Sequence, residues 1–130
     1  MTSRERVLAA INHQEADRIP IDLGGFNAST ILAEAYYNLL KYLNIDNPVR
    51  IGDSMQFWVL VDEEIIERFN LDVVPCYPLY DALGCRRERE WMDWTHPRGT
   101  PVKITSDFRP KQQERGWGGR GRSKERHYFT

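Results

Sequence analysis

Long apolar runs are missing from this 130-residue chain. None approaches the ~20 residues that a bilayer-crossing helix needs, so no membrane contact is expected. Cysteine is nearly absent: Cys76 and Cys85 are the only two, too sparse for a disulfide framework, and a reducing cytoplasm is the expected setting. The opening residues, Met1 to Arg6, are polar and charged and lack the apolar stretch of a secretory signal. Histidine is equally thin. His13, His96 and His127 are scattered and each reads as a surface residue, and neither cysteine has a histidine pattern nearby. Two ordinary thiols and no metal site are therefore expected. No internal repeat is present.

What is there is an ordinary globular composition, 41% hydrophobic and 28% charged, with an uneven charge distribution. Residues 1–108 carry 11 Lys and Arg against 17 Asp and Glu, while residues 109–130 carry 7 against 2. A mildly acidic body thus precedes a basic tail.

Thr2 and Glu5 have the spacing of a capping box, and Val7, Leu8 and Ile11 share one face of the short helix it would start. Ile19 to Leu23 has strand character, with Pro20 near its start because proline cannot donate to a ladder. Gly24-Gly25 then allows a sharp turn or close approach to a ligand. Ser29 or Thr30 can cap a helix whose stripe is Leu32, Ala35, Tyr36, Leu39, Leu40 and Leu43. Val49 to Ile51 is a candidate strand, and a helix is expected from about Met55 to Phe69, closed by Asn70 in the left-handed conformation. Leu71 to Val74 reads as a second buried strand, stopped by Pro75. This order of elements predicts parallel α/β construction. Trp91–Thr95 and Pro101–Thr105 flank a turn at Pro97-Arg98-Gly99-Thr100 and predict a β-hairpin. From Arg109 to His127 periodicity vanishes, so residues 109–130 are expected to be a poorly ordered Gly/Arg-rich tail behind a folded region, 1–108.

Three stretches carry a family resemblance. Glu15-Ala16-Asp17-Arg18-Ile19-Pro20-Ile21, after its short helix, resembles the opening of uroporphyrinogen decarboxylase-like proteins, a superfamily that includes corrinoid-linked methyltransferases. Val61 to Pro75 resembles that superfamily's step from a helix into a second strand, and Trp94 to Phe108 resembles a hairpin of longer relatives. The resemblance implies an N-terminal fragment of a (β/α)8 TIM barrel with a β-hairpin excursion. A complete barrel takes about 250 residues, so the fragment is expected to be inactive alone as a lyase or methyltransferase, and to self-associate through open strand edges.

Barrel chemistry sits at the C-terminal ends of strands, which singles out Asp22, Gly24, Gly25 and Asn27, with Gln56 in the Asp53–Gln56 turn. These are candidates for binding a small carboxylate or methylated substrate in a full-length form. Each has a plainer alternative: Asp22 and Asn27 can satisfy turn donors, and Asp53 or Ser54 can cap a helix. The resemblance departs at two places. The decarboxylases place arginines after the first strand, where their forks pair substrate carboxylates, and this chain has none there. Those enzymes also use an aspartate just after the second strand, where this chain has Cys76-Tyr77-Pro78-Leu79, with Asp81 slightly beyond. Zinc or a corrinoid is implied only for a full-length methyltransferase relative, whose ligands lie later. In the tail, Gly116 to Gly121 matches GxGxxG without the strand and helix that a dinucleotide site needs. One short RGG-like copy is weak grounds for nucleic-acid binding; it leaves a non-catalytic module with a basic tail as the competing class.

Overall fold

The chain was analysed as a computed structural model that describes residues 1–87, 90–113 and 116–120. Its regular elements run α1 (Ser3–Ile11), α2 (Ala33–Leu43), α3 (Glu63–Arg68), β1 (Trp91–Thr95), β2 (Pro101–Thr105), β3 (Arg109–Gln113) and β4 (Gly116–Arg120). They belong to two compact units, Met1–Ile31 with Val61–Tyr77, and Leu32–Leu60 with Pro78–Thr130. Among the described residues no helix is long and apolar enough to cross a membrane.

The first unit is organised around an ion network. The capping box forms as expected: Thr2 Oγ1 accepts the Glu5 N–H at 3.2 Å, and the Glu5 carboxylate accepts the Thr2 N–H at 2.8 Å. The buried residues of α1, however, are Arg6 and Ala9, while Leu8 and Ile11 are exposed. Arg6 turns inward because its guanidinium has partners there. It grips Asp17 with two bonds, at 2.6 and 2.8 Å, and donates through Nη1 to Asp72. The Asp72 side chain is wholly buried. It also accepts from Arg18 at 2.6 and 3.1 Å and from the Ile21 N–H at 2.9 Å. Burial by itself would raise the Asp72 pKa. The Ile21 N–H, the Ser3 hydroxyl, Arg18 and Arg6 outweigh it and hold the carboxyl down at about 2. Asp17, bonded to Arg6, is likewise held below the usual carboxylate range. α3 buries Ile65, ends at Phe69, and is followed by Asn70 at a left-handed φ of 48°.

The second unit holds an aliphatic and aromatic core in which Tyr36, Leu40, Trp58 and Val59 are almost fully buried. β1 and β2 form the expected antiparallel hairpin, pairing Trp91 with Thr105 and Thr95 with Pro101, and β2 turns Val102 and Ile104 inward. α2 buries Ala33, Tyr36 and Leu40, whereas Leu32 and Ala35 of the expected stripe are exposed. It starts at Leu32 without a side-chain cap, not at Ser29 or Thr30. A single buried arginine ties the loops together. Arg87 donates from Nε to the Gly52 carbonyl at 2.7 Å and from Nη1 to the Pro78 and Tyr80 carbonyls at 2.7 and 2.9 Å, with its guanidinium 5.6 Å from the Trp58 ring centre.

The expectation of a (β/α)8 barrel fragment is overturned. The regular sheet is antiparallel, β1 with β2 and β3 with β4, and neither Ile19–Leu23 nor Leu71–Val74 is a strand. These two stretches exchange one backbone bond, Asp72 N–H to the Ile21 carbonyl at 2.8 Å. The return partner of the Ile21 N–H is the Asp72 carboxylate rather than a backbone carbonyl, so the ladder stops after one rung. Val49–Ile51 likewise contributes only isolated bridges, Arg50 to Lys103 and Ile51 to Val59. The expected helix from Met55 to Phe69 shrinks to α3. Asp53 Oδ1 accepts the Met55 and Gln56 N–H groups at 2.9 Å each, closing a turn, and Phe57 then takes a left-handed φ of 56° that a helix cannot include. β3 and β4 pair Arg109 with Arg120 through Gln113 with Gly116, in a stretch where the sequence shows no periodicity.

Two predictions follow from these cores. The lowered Asp72 pKa contributes stability that is present above the ordinary value of 3.8 and is lost as pH falls toward about 2. An acid titration followed by circular dichroism is therefore expected to show unfolding of the first unit beginning below about pH 4, with Asp72→Asn removing that transition by destabilising the unit at neutral pH. Trp58→Ala should cost about 3–5 kcal/mol in urea unfolding, because it empties a fully buried site and strips the aromatic face from Arg87.

Candidate functional site

The residues singled out from sequence fall in both units. Asp22, Gly24, Gly25 and Asn27 lie in the first, and Gln56 in the second. In the first, the Asp22 carboxylate is occupied: Oδ1 accepts the Gly25 N–H at 2.7 Å. Gly24, at a φ of 87°, donates its N–H to the Ser29 carbonyl at 2.9 Å and accepts the Tyr77 hydroxyl at 2.6 Å. Only glycine adopts that φ without strain. Gly25 is glycine for space rather than for φ. A Cβ there would stand 2.5 Å from both Asp22 Oδ1 and Val73 Cγ1. Asn27 is exposed beside this turn. In this turn Asp22 does what the plainer alternative expected of it, accepting a turn N–H.

The other aspartates near expected strand ends are also committed. Asp81 Oδ1 accepts the Leu83 and Cys85 N–H groups at 2.9 and 2.8 Å, and Oδ2 accepts the Ser54 N–H at 3.1 Å. Cys85, buried next to Asp81, has its thiol pushed up to about 12, first by burial and then by the Asp81 charge. Such a thiol is inert at neutral pH. Cys76 is exposed and belongs to the first unit. Among the described residues no group of three His, Cys, Asp or Glu side chains could hold a metal ion.

Gln56 leads to a different place. It is exposed and lines a cleft of about 350 Å³ in the second unit, with Leu32, Glu34, Phe57, His96 and Arg98 among the other walls. Phe57 forms one wall through an unusual backbone. A left-handed φ of 56° is a rare state for a bulky residue, and the contacts around it hold it there. Its ring stacks on Trp94 at 5.6 Å between centres and meets His96 edge-on at 5.0 Å and Phe108 at 6.0 Å. At the rim, Arg98 Nη1 reaches Glu34 Oε2 at 3.1 Å, an exposed pair with side chains 72% and 47% accessible. His96 is half-buried; burial, with Arg98 nearby, lowers its pKa, so the imidazole is neutral at pH 7. Its Nδ1 faces the Arg98 N–H at 3.4 Å. Sequence reading reached Gln56 and missed Phe57, His96 and Arg98. The available signal was the Trp94-x-His96 alternation, which sets both rings on one face of β1 and its extension.

Gly25→Ala is expected to destabilise the first unit by about 1–3 kcal/mol in chemical unfolding, since the added methyl meets Val73 as well as a carboxylate already in use.

No protein-family model matches the chain, and searches of curated proteins and of solved structures give no match.

Proposed function

We propose that the chain is a uroporphyrinogen decarboxylase-like polypeptide of the cytoplasm that binds ligand or partner and does not turn substrate over by itself. One observation supports the kinship best. Two of the stretches that carry the resemblance, Glu15–Ile21 and Val61–Pro75, meet on a single buried carboxylate, Asp72, through Arg18 and the Ile21 N–H. Occupied groups support the absence of turnover: Asp53 and Asp81 each accept several backbone N–H groups, and Cys85 is held as a thiol. Exposed Ile19, Ile21 and Val74 in the first unit give self-association an apolar surface.

A second reading rests on charge. Residues 109–130 carry a net positive balance of 7 basic to 2 acidic side chains, against an acidic remainder, which suits an acidic partner or RNA. Residues 121–130 of that segment, including His127, lie outside the described residues.

The experiment separates the two. The purified chain is mixed with uroporphyrin, read by fluorescence, and with uroporphyrinogen, or with methylcobalamin and a small thiol as methyl acceptor, read by product chromatography. Saturable porphyrin binding without product supports the family reading. Product formation overturns the non-catalytic half of the proposal, and a folded chain with neither binding nor product overturns the kinship. A salt-sensitive RNA shift lost on deleting residues 109–127 would assign the function to the tail instead.

A further inference from the structure

The cleft beside Phe57, which the kinship reading reaches only at Gln56, combines features that reading does not use. One side is apolar: Leu32 is 57% exposed, and the Phe57 ring is fixed from behind by Trp94 and Phe108. A wall held by packed rings is preorganised, so a flat ligand would lose little to reordering of the protein on docking. The volume of about 350 Å³ is at the small end for ligand sites and suits a single ring system. The other side is polar and asymmetric in charge. Arg98 stands at the hairpin turn, and Glu34 sits in the first turn of α2, the positive end of the helix.

Exposed ion pairs contribute little, so Arg98 can exchange Glu34 for another anion at small cost. An incoming anion gains the Arg98 fork and the field of the α2 start together. An incoming cation facing Glu34 would meet that same field unfavourably. The charge arrangement therefore selects the sign of the ligand, and the aromatic wall selects its shape. The neutral imidazole of His96 adds a hydrogen-bonding group to the same lining without adding charge.

We propose that this cleft binds a small, flat aromatic monoanion, its ring against Phe57 and Leu32 and its carboxylate on Arg98 in place of Glu34. The site lies wholly within the second unit and does not rest on the uroporphyrinogen decarboxylase-like reading.

Benzoate and indole-3-acetate are the probes, titrated into the full chain and followed by two-dimensional NMR, with benzamide and benzylamine as neutral and cationic controls. Saturable shifts at residues 32–34, 56–57 and 96–98, with a Kd on the order of 1 mM or tighter, are expected for the acids only. Arg98→Gln should abolish them. Glu34→Gln should tighten binding up to about fivefold, because the competing internal carboxylate is gone. Both substitutions are at exposed positions, and the dispersed Trp94 and Ile104 signals report that the hairpin remains folded in each variant. Equal binding of benzylamine, acid binding that survives Arg98→Gln, weaker binding in Glu34→Gln, or no saturable shift in folded protein would each overturn the proposal.

Discussion

A carboxylate wholly removed from solvent is an expensive object unless its surroundings replace water. Asp72 is in that position, and its replacement shell is drawn from Arg6, Arg18 and the Ile21 N–H, positions 66, 54 and 51 residues away along the chain. The first unit can therefore close only when α1, the segment around Arg18 and the stretch after α3 arrive together. Apolar packing contributes less than usual here: α1 buries Ala9 and an arginine, and its leucine and isoleucine face outward. The geometry of the unit follows from satisfying that one charge.

The second unit has the converse arrangement, a buried cation satisfied by backbone carbonyls. Arg87 collects the carbonyls of Gly52, Pro78 and Tyr80, which would otherwise need ladder partners or water. The same habit recurs in Asp53 and Asp81, each of which gathers several backbone N–H groups. Side chains thus take over bonding that a sheet would normally provide. This explains how a chain rich in short apolar segments forms, among the described residues, only two-stranded ladders. It also explains why a barrel reading fails physically: strand-like sequences at Ile19–Leu23 and Leu71–Val74 have their polar backbone partly served by Asp72 before a ladder can extend.

The features legible in sequence were those decided within a few residues. The Thr2–Glu5 box, the left-handed Asn70 and the hairpin from Trp91 to Thr105 depend on local spacing and turn chemistry, and each stands at its expected position. The helix expected from Met55 to Phe69 failed for a reason equally local but invisible to periodicity. Phe57, Leu60 and Ile65 keep helical spacing, yet Asp53 closes a turn onto Met55 and Gln56, and Phe57 leaves the helical region of backbone space. The apolar face expected for α1 points outward because an arginine with two aspartate partners, one of them wholly buried and 66 residues away, outcompetes a leucine for the interior. Of the candidate site residues, Asp22 and Gly25 proved to serve each other, while Gln56 marked the edge of a cleft whose other walls come from three separate segments.

Where function can reside is constrained by the same accounting. A polar group that already has well-formed partners in the interior is unavailable to a ligand without unmaking the fold, which removes Asp53, Asp72, Asp81 and Arg87 from consideration as exchangeable contacts. The Arg98–Glu34 pair differs in kind: it is exposed, joins a turn to a helix start, and its rupture leaves neither partner buried. Beside it lies a residue held in a strained backbone state by a packed cluster of rings. Strain that the surrounding packing sustains, next to an ion pair cheap to exchange, is the combination that lets a surface recognise something without cost to stability. In this chain that combination occurs at the Phe57 cleft.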